Sequence, residues 1–176
     1  MTAPAILISR CLLGERCRYD GRVKPSILEK LKTLGIEEGA VRWIPICPEV
    51  DGGLSVPRPP SEIEPGGSAS AVLAGCLKIR SNTGADVTAP YVSGARAALE
   101  AALRNGAELA LLKARSPACS PKGIYDGTFS GQLVEGRGIA AQALGDAGLE
   151  LFSEETLETF AQRLSARSGV PLRRPC

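Results

Sequence analysis

Four short apolar runs, Ala5–Ser9, Val41–Cys47, Leu109–Leu112 and Leu149–Phe152, are separated by segments of helical character. Runs of this length bounded by turn residues suit buried strands. After Pro25, the residues Ile27, Leu28, Leu31 and Leu34 recur at helical spacing until Gly35. Between Pro90 and Asn105-Gly106, Val92, Ala95, Leu99 and Leu103 form a predicted helix face. Further helices are expected over residues 137–147 and from Ser153-Glu154-Glu155-Thr156 onward, the latter with an acidic first turn. Strands alternating with helices predict an α/β fold, a mostly parallel, Rossmann-like sheet flanked by helices on both faces. A small hairpin insertion is expected where 76–80 and 85–88 flank Asn82-Thr83-Gly84, and residues 51–70 read as a long loop. The expected organisation is a single α/β domain over residues 1–170 and a flexible tail over 171–176.

The chain has six cysteines and no histidine. Without histidine, a Ser-His-Asp or Cys-His triad within one chain is excluded, as are mixed Cys/His zinc sites. Acid–base work falls to carboxylates and other side chains, and any soft metal centre falls to thiolates. No apolar stretch approaches the roughly 20 residues of a membrane span, and the N-terminal residues lack the basic region of a signal peptide. A cytoplasmic location is therefore expected, and there the thiols are not a disulfide framework. The net charge of +2 and the scarcity of aromatics speak against a nucleic-acid partner. No Gly-x-Gly-x-x-Gly follows the first strand and no P-loop is present, so nothing supports a nucleotide cofactor.

Cys11 follows the first predicted strand, Cys47 closes the second, and Cys119 comes shortly after the third. Open parallel sheets bind ligands outside the carboxyl ends of their strands. Three thiolates meeting there suit a [4Fe–4S] cluster with one iron left without a protein ligand. Two other readings stand beside this one. Any single cysteine is often a small buried hydrophobe, and with Cys17 as a fourth ligand the set would suit a structural zinc. Cys17 itself is either a nearby thiol or an alternative ligand, while Cys76 and Cys176 are read as without function.

The segments "ISRCLLGERCRYDG" (8–21), "CPEVDGGLSVPRPPSEI" (47–63) and "SPACSPKGIYDGTFSG" (116–131) resemble the thiouracil desulfurase (desulfidase) family, formerly a bacterial domain of unknown function. The resemblance implies a [4Fe–4S]-dependent, non-redox enzyme that removes sulfur from 2-thiouracil or a related thiolated pyrimidine, giving uracil and hydrogen sulfide. By its motifs Cys11, Cys47 and Cys119 are the metal ligands, the substrate sulfur binds the open iron, and Glu49 and Ser116 are catalytic. Glu49 is the expected base and Ser116 relays a proton or holds substrate. Arg18, Tyr19, Asp20, Arg58 and Glu62, with Arg16, are candidates for binding the pyrimidine, against the alternative of a solvated, salt-bridged loop. Tyr125 and Phe129 either meet a flat base or bury the turn. Iron–sulfur assembly machinery is the implied partner. An enzyme acting on thiolated nucleosides or tRNA and a non-enzymatic metal-binding protein remain as alternatives.

Overall fold

In the computed structural model, which describes residues 3–168, the four apolar runs form one parallel sheet. Its strands are β1 (Ala5–Ser9), β2 (Arg42–Ile46), β5 (Leu109–Leu112) and β8 (Glu150–Ser153), in the spatial order β2-β1-β5-β8. β1 and β5 are buried along their whole length, as central strands covered on both faces must be. Alternate residues enter opposite layers. Leu7, Ala110 and Leu112 face a core shared with α4 (Thr88–Asn105) and α5 (Ile139–Asp146), whereas Ile6, Ile8, Leu109 and Leu111 face α1 (Leu28–Thr33) and α6 (Leu157–Ser168). The tail expected over Pro171–Cys176 lies outside the described residues.

Of the helix face expected on α4, Ala95 is buried, Val92 and Leu99 are partly buried against the core, and Leu103 is corrected. Leu103 is 68% exposed, and the buried residues are Tyr91, Gly94, Ala95, Ala98 and Ala102. A stripe of small residues lets α4 lie close to the sheet and to α5, which a leucine face would hold at a distance.

The segment read as a long loop begins at the last residue of α2 (Pro48–Asp51) and contains β3 (Ser61–Ile63), and α3 (Ala69–Leu73) begins at its end. β3 pairs antiparallel with β4 (Ile79–Ser81). The hairpin expected between 76–80 and 85–88 is reduced to a single bridge, Arg80 with Asp86. A second antiparallel pair, β6 (Gly123–Tyr125) with β7 (Leu133–Glu135), follows Cys119.

This topology fixes where a ligand can sit. From β1 the chain moves outward to β2, and from β5 it moves the other way to β8. The order therefore reverses between β1 and β5, and the crevice at such a switch point is where open α/β sheets bind ligands.

Candidate active site

The carboxyl ends of β1, β2 and β5 open into a cavity of about 670 Å³. Cys11, in a 3-10 turn at Arg10–Leu13 directly after β1, lines it, as do Cys47 after β2 and Cys119 after β5. Ser9 pairs with Ile46 across β1 and β2, so Cys11 and Cys47 leave adjacent strands near the same height. Cys17 joins them. It is buried and hydrogen-bonds with both the Cys11 and the Cys47 thiols, and its carbonyl accepts from Cys47 Sγ at 3.8 Å. Its own thiol is pushed up to about 11, chiefly by the bond to Cys11. The bond to Cys17, and then burial, push Cys47 up as well, and burial pushes Cys119 up.

The donor set is soft and mostly buried, and it stands around a cavity wall. Among the described residues no three cysteine or carboxylate side chains converge on one point to hold a single metal ion. Three thiols that line one cavity without converging on a point fit a polynuclear cluster, in which each thiolate binds its own iron.

Cys47 is also the N-cap of α2. Its amide donates to Asp51 Oδ2 at 2.9 Å, and Arg10 Nη2 donates to Asp51 Oδ1 at 2.6 Å. One carboxylate thus ties the Cys11 turn to the Cys47 turn. α2 in turn presses on α4: a Cβ on Gly94 would overlap the Pro48 carbonyl, and one on Gly52 would overlap the Pro90 carbonyl. Gly94→Ala is therefore expected to cost about 1–3 kcal/mol through overpacking. Scanning calorimetry of the metal-free protein reads this as a fall of several degrees in Tm. An unchanged Tm would mean that α2 can shift freely, against the fixed geometry described here.

The Cys119 turn is held from two sides. Ser116 Oγ accepts from the amides of Ala118 at 3.2 Å and Cys119 at 3.1 Å, and the Ser9 and Ser116 hydroxyls both hydrogen-bond the Cys119 thiol. With its oxygen engaged by backbone, Ser116 is left with a proton to donate. The first turn of α5 supplies the second anchor. Ile139 N donates to Pro117 O and Ala140 N to Ala118 O, both at 2.9 Å, which satisfies helix amides that would otherwise be orphaned. A Cβ on Gly138 would collide with the Ala118 carbonyl and the Cys119 amide.

The other expected residues divide. Glu49, Arg18, Tyr19, Glu62, Tyr125 and Phe129 line the cavity. Glu62 accepts from the Phe129 amide at 3.0 Å, and Phe129 is held at φ 57, a left-handed conformation uncommon for a bulky residue. Asp20 and Arg58 do not line the cavity. Asp20 accepts from Arg18 Nε and Nη2 at 3.2 and 3.1 Å, and this bond holds its carboxyl below the usual range. Arg58, expected among the pyrimidine-binding candidates, is buried and pairs with Glu49. Arg16 is exposed. Sequence reasoning misses Tyr91, Asp51 and Arg10: Tyr91 bonds Glu49, Asp51 bonds the Cys47 amide, and Arg10 bonds Asp51. The last two lie inside the quoted motifs, where the sequence alone gives them no role.

Residues 6–156 match the family described as 2-thiouracil desulfurase. The chain belongs to the 2-thiouracil desulfurase family. Uncharacterized protein YbbK of Bacillus subtilis (strain 168) is a relative, 43% identical over 152 residues, which span 86% of this chain and 97% of YbbK. The fold also matches the solved structure of the [4Fe-4S]-dependent thiouracil desulfidase TudS with a TM-score of 0.78 and 37% identity, over 93% of this chain and 99% of TudS. The Rossmann-like architecture expected from the strand–helix alternation is thus that of a desulfurase-family member. Among the described residues no helix is long and apolar enough to cross a membrane.

Proposed function

We propose that this desulfurase-family protein is a [4Fe–4S]-dependent desulfidase that converts 2-thiouracil, or a related thiolated pyrimidine, and water to the oxo-pyrimidine and hydrogen sulfide. The observation that carries the reading is the meeting of Cys11, Cys47 and Cys119 around one cavity that Glu49 also lines. Those three thiolates would hold the cluster, delivered by iron–sulfur assembly machinery. When bound, the cluster supplies a thiophilic Lewis acid for the thiocarbonyl sulfur.

The remaining chemistry belongs to the chain. Glu49 takes a proton from the water that attacks the thiocarbonyl carbon, the base role that a chain without histidine leaves to a carboxylate. The carbon–sulfur bond breaks, sulfur leaves with both bonding electrons, and protons return to it as sulfide departs. Ser116 keeps the Cys119 turn in place and offers its hydroxyl proton as a donor. Accepting a proton from water is closed to it while its oxygen holds two backbone amides. Arg18 offers donors for the pyrimidine carbonyl and Glu62 an acceptor for a ring N–H, while Tyr125 and Phe129 supply ring faces. Asp20 orients Arg18, and Tyr19 lies beside the same guanidinium, 6.0 Å from ring centroid to Cζ.

Anaerobic reconstitution with iron and sulfide is expected to give a brown protein that releases uracil and sulfide in equal amounts from 2-thiouracil. No added oxidant or reductant is needed, because the exchange of sulfur for oxygen is not a redox change. A fully reconstituted protein that releases no sulfide from 2-thiouracil or from other thiolated pyrimidines would sink the reading.

A further inference from the structure

Two buried side chains meet on Glu49 from different parts of the chain. Tyr91, on α4, is 2% exposed, and its hydroxyl donates to Glu49 Oε1 at 2.6 Å. Arg58, 8% exposed, donates from Nη2 to Glu49 Oε2 and to the Cys17 carbonyl, the latter at 3.0 Å. Its Nη1 donates to the Ser55 carbonyl at 3.0 Å, and its backbone amide donates to the Tyr19 carbonyl at 2.9 Å. One guanidinium therefore fastens the loop carrying Cys17, the loop before β3 and the Glu49 carboxylate to one another.

The two carboxylate oxygens have unlike partners. Oε2 faces a cation that cannot give up its proton. Oε1 faces a phenol, which burial and the Glu49 charge keep neutral by pushing it well above its ordinary value. A proton arriving at Oε2 would sit beside that fixed positive charge. A proton arriving at Oε1 meets only a hydroxyl, which uses one of that oxygen's two lone pairs.

We propose that Tyr91 and Arg58 are positioning residues that act through Glu49, Arg58 by pinning Oε2 and Tyr91 by presenting Oε1 as the atom that takes the proton. The inference rests on the reading of Glu49 as the base. It goes further by assigning the two oxygens different tasks and by giving Arg58 a role other than substrate contact. A carboxylate held by one partner alone can turn about its last bond, and misplacement of a reacting group by about 1 Å can cost about 10²-fold in rate.

The test is a double-mutant cycle in the reconstituted protein. Tyr91→Phe removes one oxygen and keeps the buried ring. It is expected to lower kcat by roughly 10- to 100-fold. KM, uracil affinity, iron content and the Tm of the metal-free protein should change little. In a Glu49→Gln background the same substitution should cost nothing further, because residues acting through one group are not additive. Arg58→Lys keeps a cation but not the fork that spans Glu49 and Cys17; it carries the same test if Tyr91→Phe does not take up iron. Wild-type kcat in Tyr91→Phe beside an inactive Glu49→Gln would overturn the inference alone. So would an equal loss in both backgrounds, which would mark a general structural role. A fully active Glu49→Gln would instead bring down the base assignment beneath it.

Discussion

Serine in place of Cys11, Cys47 or Cys119 is expected to reduce iron content to background after anaerobic reconstitution and to abolish the visible absorption of the cluster, while the chain stays folded. Each of these sulfurs follows a strand whose register its neighbours fix: Ser9 opposite Ile46, and Ile8 opposite Leu111. Serine is nearly isosteric but is a hard, weakly acidic donor, poorly matched to iron–sulfide centres. The fold should survive because the bonds these side chains make are few and weak; Cys47, for example, meets the Cys17 thiol and makes a long contact to the Cys17 carbonyl. Circular dichroism and the Tm of the metal-free variants check that part. Cys17→Ser is expected to keep its iron, because its carbonyl, which bonds Arg58 and Cys47, is untouched by the change. Loss of iron in Cys17→Ser would make it a fourth ligand, close the open coordination position and remove the place proposed for substrate sulfur. Cys76→Ser and Cys176→Ser are expected to keep iron as well. Full iron in any of the first three variants would strike that residue from the ligand set.

The sheet was legible because each of its strands is a short apolar run set off by turn residues, a signal local to a few positions. The meeting of three cysteines at one edge followed from that alternation and from the rule on parallel strands, with no distance needed. Other features were hidden for identifiable reasons. β3 is three residues long, Ser61–Ile63, and two of them are polar, so it shows no period; its existence depends on a partner strand far along the chain. The buried face of α4 is built from Tyr91, Gly94, Ala95, Ala98 and Ala102, small residues for the most part, whereas the larger Leu103, which the apolar spacing favours, is exposed. Arg58 and Arg18 look alike in sequence, both being cations in loops. Only the structure shows one turned onto Glu49 and the other onto the cavity wall. In "SPAC", Pro117 announces a stiff turn. The amides of α5 that grip that turn belong to Ile139 and Ala140, each 22 positions after the carbonyl it bonds, where nothing local marks them.

Glu49→Gln is expected to take up a full complement of iron and to lose about 10²–10⁴-fold in kcat, the range for removing a general base. The substitution is chosen because the site can accept it. Gln keeps the length and planarity of Glu, its carbonyl oxygen can still accept from Arg58 Nη2, and its amide nitrogen can donate to a Tyr91 hydroxyl that turns to accept. Packing of α2 on α4 through Gly94 is unaffected. What is lost is the ability to take a proton from water. Glu49→Asp separates that loss from one of position: it keeps a carboxylate but is one methylene shorter, so it cannot reach both Tyr91 and Arg58. Turnover is expected to fall in the order Glu, Asp, Gln. Single-turnover measurement of uracil formation is the right readout, because slow release of sulfide would mask the chemical step. Wild-type rates in Glu49→Gln under those conditions would remove Glu49 from proton transfer. Equal rates in the Asp and Gln variants would show that the placement of this group by Tyr91 and Arg58 limits the reaction, whatever proton it carries.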